Sequence, residues 1–127
     1  MDETNINRQI IALSSTIGLL KVDVLEKRIQ EIHPDCHVIK MKEFVNSDNV
    51  LDLFQNKIDY FVDACDTVST KKEVISQCIS RKIPFICCMG TGNKLDPSML
   101  EIVDIRKTKN DPLARMIRKY VKDEKIN

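Results

Sequence analysis

Apolar side chains recur at Ile17, Leu20, Val24, Leu25, Ile29 and Ile32, the interval at which one face of an α-helix returns. Ser14 or Ser15 can cap such a helix and Pro34 ends it, so the pattern predicts a core-directed helix between them. Residues 37–42 read as a strand. Asn46, Ser47 and Asp48 then precede a short helical pattern carrying Val50, Leu51, Leu53 and Phe54. Residues 60–65 are almost continuously apolar, with Asp63 near the end, as expected of a parallel strand buried on both faces. A helix from Ser69 presents Val74, Ile75, Cys78 and Ile79, and Pro84 opens a further strand over 85–89. Gly90 and Gly92, two of the three glycines, flank Thr91 directly after that strand, where the chain must turn tightly. Residues 100–105 alternate in the manner of a half-exposed strand. Pro112 opens a last helix through Tyr120, and Lys122 onward is expected to fray.

Strands separated by helices imply a mostly parallel α/β sheet, and ligands in such sheets bind beyond the carboxyl ends of the strands. Asp66 and the Gly90-Thr91-Gly92 turn both fall there. With 127 residues and no repeat or linker, residues 1–127 read as one domain. Lys and Arg total 20 against 19 Asp and Glu, a net charge of +1, so any basic surface must be local. No apolar run approaches the ~18 residues of a membrane span, and no signal-peptide core opens the chain. A soluble, cytoplasmic protein is the expectation. The five cysteines, at 36, 65, 78, 87 and 88, form no C-x-x-C pair and so encode no zinc ribbon. Those at 65, 87 and 88 lie in or beside apolar runs and read as buried reduced thiols. Neighbouring strand residues face opposite ways, which argues against a Cys87–Cys88 disulfide. His33 and His37 flank Pro34 without a partner acid or cysteine at metal-ligand spacing, and read as exposed turn histidines.

The candidate chemistry begins with Asn5-x-x-Arg8-Gln9 followed by Ile17-Gly18-x-x-Lys21. An arginine fork and a mobile lysine charge together suit a polyphosphate, against the ordinary alternative of solvated surface charge. No glycine-rich loop accompanies them. Asp66, after a buried strand, can hold magnesium between phosphates or cap the following helix. The loop from Gly90 to Pro97 is either a plain turn or a place where Asn93 and Lys94 approach an acyl group. Arg106, Lys107, Lys109, Arg115, Arg118 and Lys119 form the one basic concentration, with 115, 118 and 119 on one helix face. That face could meet a nucleic-acid phosphate backbone, or serve only as a solubilising helix balanced by Asp123 and Glu124.

Thr4-Asn5-Ile6-Asn7-Arg8-Gln9, Ile17-Gly18, Lys21 and Asp63-Ala64-Cys65-Asp66-Thr67 resemble the ThiF-like, ubiquitin-activating-enzyme-like adenylyltransferases. Met89 to Pro97, Lys107-Thr108 and Asp111-Pro112-Leu113-Ala114-Arg115 are similar to one branch, the tRNA threonylcarbamoyladenosine dehydratases. The resemblance implies a Rossmann-like, mostly parallel sheet that is incomplete here: the first β-α-β unit with its glycine-rich loop, and the C-terminal strands, would lie outside a central piece. It also implies that strands 37–42 and 60–65 are separated by absent ones, which leaves open edges for self-association. The implied activity is ATP-dependent activation of the threonyl carboxylate on a tRNA adenosine by adenylation, for cyclisation. Asn5, Arg8, Gln9 and Lys21 would hold ATP, Asp66 would hold Mg, and Arg8, Lys21 and Asp66 would be catalytic. Asn93, Lys94, Arg115 and Arg118 would contact substrate. Implied partners are tRNA, a second copy in a homodimer, and sulfur-transfer proteins. Two alternatives stand beside this reading: activation of a sulfur-carrier protein's C-terminal glycine, and a non-catalytic interaction module.

Overall fold

The computed structural model describes residues 1–126 and divides into two compact units, Met1–Phe44 and the chain from Val45 onward. In the first unit, Asp2 accepts hydrogen bonds from the Thr4 amide (2.8 Å) and hydroxyl (2.6 Å), capping a 3-10 turn over Glu3–Asn5. The terminal ammonium donates to the Leu19 carbonyl at 2.6 Å and the Gly18 amide donates to the Met1 carbonyl at 3.0 Å, which ties the start of the chain to residues 18 and 19. Gly18 has φ +83°, a left-handed conformation that suits glycine. This turn displaces the expected helix start. Ser14–Thr16 form only a 3-10 turn, closed by the Thr16 hydroxyl on Leu13 and Ile11, and neither serine caps a long helix. Helix α1 begins at Lys21 and runs Lys21–Ile32. Ile17 and Leu20 fall outside it, and no α1 residue is fully buried.

Residues 37–42 are not a strand. Strand backbone needs a ladder partner for its N–H and C=O groups, and none pairs with this stretch among the described residues. Side chains hold it instead. Lys40 bridges Asp23 (2.8 Å) and Glu26 of α1, and Lys42 reaches Asp23 at 3.1 Å.

The second unit carries the sheet. Strands β1, Phe61–Asp63, and β2, Phe85–Cys87, pair in parallel with Phe61 opposite Phe85 and Asp63 opposite Cys87. Helix α2, Val68–Ser80, connects them, giving the β-α-β unit of a Rossmann-like fold. Two cores flank this unit. Val50, Phe54, Val74 and Cys78 pack in one, where Phe54 stacks on Phe61 at 5.3 Å; Ile75, Ile117 and Val121 pack in the other. Phe85 touches both clusters. The last two of those residues belong to helix α3, Pro112–Asp123, which Asp111 caps by accepting from the Ala114 amide at 2.6 Å. Lys122 is therefore helical rather than frayed.

The 100–105 stretch is not a strand either. Asp104 accepts from the Arg106 amide at 2.8 Å and caps a 3-10 turn over Ile105–Lys107, a local bond that competes with extended pairing. Ile102, expected on a half-covered face, is 86% exposed. All five cysteines are free, but the buried one is Cys78, while Cys88 is exposed. His33 and His37 are both exposed. Among the described residues no helix is long and apolar enough to cross a membrane.

Candidate functional site

The carboxyl ends of β1 and β2 are organised by a group that the helical pattern alone did not single out. Lys71, the fourth residue of α2, is completely buried, and its ammonium donates to Asp63 Oδ2 at 2.6 Å and to the Cys88 carbonyl at 3.1 Å. One side chain thus pins the last residue of β1 and the residue after β2. Asp63 Oδ1 also accepts from the Cys65 amide at 3.0 Å, bending the chain away from the strand. Burial pushes the Asp63 carboxyl up, but hydrogen bonds from Cys65 and Lys71 outweigh it and leave the group below its ordinary value. Burial, reinforced by the Asp63 charge, pushes the Cys65 thiol up to about 11 and the Cys87 thiol up to about 12. Both stay protonated at neutral pH and are poor nucleophiles. Lys71 had one signal in the sequence: an acid inside an apolar strand requires a partner.

With Asp63 engaged, the next acid is left for other work. Asp66 is exposed and takes part in no ion pair among the described residues. It does not cap α2 either, since the cap position is Thr67 and no side-chain bond is made there. No cluster of three metal-ligating side chains exists among the described residues. A lone carboxylate fits magnesium nonetheless, because that ion binds through one or two carboxylates and otherwise takes water and phosphate oxygens.

The loop after β2 is fastened to the start of α3. A Cβ at Gly90 would overlap Asp111 Oδ2, the carboxylate that caps α3, so the cap rests against bare Cα. Lys94 donates to the Gly92 carbonyl at 3.2 Å and the Asn110 carbonyl at 2.9 Å. Asn93 sits at φ +60°, exposed. An apolar groove of about 610 Å³ opens beside the loop, with Met89, Gly90, Thr91 and Ile102 among its walls; Asp66 does not line it. On α3, Arg115 is exposed, whereas the Arg118 guanidinium donates to the Thr108 carbonyl at 2.8 Å and to its hydroxyl.

The remaining sequence-derived residues lie in the first unit. Asn5 is buried, and its carbonyl accepts from the Arg8 amide at 3.2 Å and the Gln9 amide at 3.0 Å. Arg8 is exposed, its guanidinium donating to the Thr4 carbonyl at 2.7 Å and Asn7 Oδ1 at 3.0 Å. Lys21 is exposed at the first position of α1, whose first turn no side chain caps. An uncapped helix start beside a lysine favours an anion.

These features meet known proteins over nearly the whole chain. A tRNA threonylcarbamoyladenosine dehydratase of Bacillus subtilis (strain 168) is 42% identical across 99% of this chain and 50% of its own length. The enzyme of that name from Escherichia coli (strain K12) is 39% identical across 95% of this chain and 45% of its own. A crystal structure of the E. coli enzyme, TcdA, in complex with ATP superposes with a TM-score of 0.90 at 38% identity, covering 98% of this chain and 51% of that one. The chain therefore spans about half the length of the curated relatives it matches. The family model described as the ThiF family matches residues 1–123, and on that extent the chain belongs to the ThiF family.

Proposed function

We propose that this chain forms part of an ATP-dependent tRNA threonylcarbamoyladenosine dehydratase. The observation that carries the reading is identity of 42% to such a dehydratase across almost every residue of the chain. The uncommitted Asp66 carboxylate in the turn between β1 and α2 and the exposed Arg8 and Lys21 charges support it. A substrate carboxylate oxygen attacks the α-phosphorus of ATP, the bond to the β-phosphate breaks, and pyrophosphate leaves. Arg8 and Lys21 bind the phosphates and balance the charge on the leaving group, with Asn5 holding the Arg8–Gln9 backbone in place. Asp66 is the residue that would hold a magnesium ion, which when bound neutralises charge between phosphates. An internal amine of the activated group then closes a ring and AMP departs, a net loss of water. Asn93, exposed in its left-handed turn, is placed in this reading against the acyl group. Lys94 acts there by fixing the loop through Asn110.

The same reading carries a homodimer and a cytoplasmic location. It also predicts that the 127-residue chain alone gives no ATP–pyrophosphate exchange, because a helix N-terminus behind a glycine-rich turn is needed to complete the phosphate cradle. The test uses a protein of the relatives' full length. Exchange that depends on tRNA bearing threonylcarbamoyladenosine is expected. Exchange driven by a sulfur-carrier protein and indifferent to tRNA would replace this function with the carrier-activating one.

A further inference from the structure

The cations of the second unit are not spread evenly. A groove of about 700 Å³ beside α3 is lined by Arg106, Arg115, Arg118, Lys119, Lys122 and Lys125, completed by Val121 and Ile126, with no carboxylate in its wall. The whole chain carries a net charge of only +1, so this is a segregation of charge and not a reflection of composition. Residues 115, 118, 119 and 122 follow the i, i+3, i+4, i+7 spacing of one helix face, where like charges repel and destabilise the helix. Asp123, four residues after Lys119, is the one acid of α3, and it lies off the groove wall.

The groove is also partly prearranged. Arg118 is held by Thr108, and Arg106 is neutralised by a two-toothed pairing with Asp104, both contacts at 2.8 Å. Arg115, Lys119, Lys122 and Lys125 are exposed and make no ion pair among the described residues. The seven-residue step from Arg115 to Lys122 spreads the helical charges along about 10 Å, and Lys125 follows the end of α3. No aromatic side chain lines the groove, so it offers no platform on which an unpaired base could stack. Its apolar walls, Val121 and Ile126, are buried and half-buried, so nothing projects to enter a lipid surface.

We propose that this groove docks the phosphate backbone of a base-paired stem in a folded RNA, without reading its sequence. The inference rests on the tRNA-modification reading and gives it a surface remote in chemistry from the adenylation residues: contacts here position the RNA, and base identity is read elsewhere. Binding should be dominated by counterion release and fall steeply with salt.

The test measures binding of an unmodified tRNA transcript to the 127-residue chain over a salt series. Lys119→Gln with Lys122→Gln removes two exposed charges, and Lys119→Arg with Lys122→Arg retains them. The glutamine pair is expected to weaken tRNA binding about tenfold and to reduce the log–log salt slope by about 2, with the circular-dichroism melt unchanged and the arginine pair behaving as the parent. Parent-like affinity and slope in the glutamine pair would overturn the docking surface while leaving the tRNA reading intact. Absence of tRNA binding by the parent chain at low salt, or loss of binding to phosphatidylserine vesicles but not to tRNA, would overturn it as well. The tRNA reading itself fails separately, if pyrophosphate exchange by the full-length protein ignores tRNA.

Discussion

The two units of the chain are held together by different physics. From Val45 onward, two apolar clusters enclose a β-α-β unit, and a fully buried ion pair sits between the strand ends. In Met1–Phe44 the buried residues are Asn5, Ile11 and Ala12, much of the order comes from turn hydrogen bonds, and the lysine–carboxylate pairs are partly exposed. Apolar burial is worth roughly 25 cal/mol per Å², whereas surface pairs contribute little. The unit with the sheet can therefore hold a site rigidly by itself. Arg8 and Lys21 stand on the lighter scaffold.

The comparison breaks most sharply at Lys71. Lys71→Met strands a buried carboxylate and should cost about 3–5 kcal/mol in a denaturant melt of the second unit. Asp63→Leu added to it should recover part of that loss, since both charges are then gone; a single variant as stable as the parent would deny the pair its role. The same pair predicts a pH dependence. The folded-state value of Asp63 lies below the unfolded value of about 3.9, so its stabilising share is fully present above that and is lost as pH falls through the lower folded value. In the Lys71→Met variant the acid-side loss should shrink, as read from melts between neutral and strongly acid pH.

The lighter unit is probed through its charges. In a protein of the relatives' length, Arg8→Ala and Lys21→Ala should each cost about 1.5–3 kcal/mol in kcat/KM for ATP. Neither should move the melt of the second unit. Asp66→Asn should lower turnover more than nucleotide affinity, because charge builds as pyrophosphate departs. An affinity loss at unchanged rate would reassign that acid.

A smaller effect is expected at Lys82, which closes α2 at φ +57° with the Ile83 amide donating to the Cys78 carbonyl at 2.8 Å. Lys82→Gly relieves a left-handed side chain and should stabilise the second unit by about 1 kcal/mol, measured in the same melts. At the bottom of the scale, Lys40→Met removes its pairs to Asp23 and Glu26 and should leave the melting midpoint within error. A large shift would mean that the first unit depends on ion pairs as the second depends on its core.

The same contrast explains what could be read from the chain without coordinates. The β1-α2-β2 path was legible because Val74, Ile75 and Cys78 are periodic and truly buried, and α3 because Pro112 marks its first position. Residues 37–42 misled because a strand-like stretch says nothing of the neighbour it would need for pairing. Residues 100–105 misled because Asp104 turns the backbone locally, and Ser14 and Ser15 because Gly18 redirects the chain before α1 begins. Lys71 was missed for a simpler reason: a lysine in a helix reads as solvated unless Asp63 is asked what neutralises it. The motif residues Asn5, Arg8, Gln9, Lys21 and Asp66 came from resemblance, and the structure describes the setting of each within its own unit.

One glycine ties two of these regions into a single lever. Because Asp111 both caps α3 and rests on Gly90, and Lys94 grips the carbonyl one residue before that cap, a force on the helix face is delivered to the turn after β2. Prising them apart means uncapping a helix, about 1 kcal/mol, before anything else yields. A methyl group at position 90 would collide with the Asp111 carboxylate, so it would push the cap of α3 away from the turn after β2 while the Lys94 link to Asn110 stays in place.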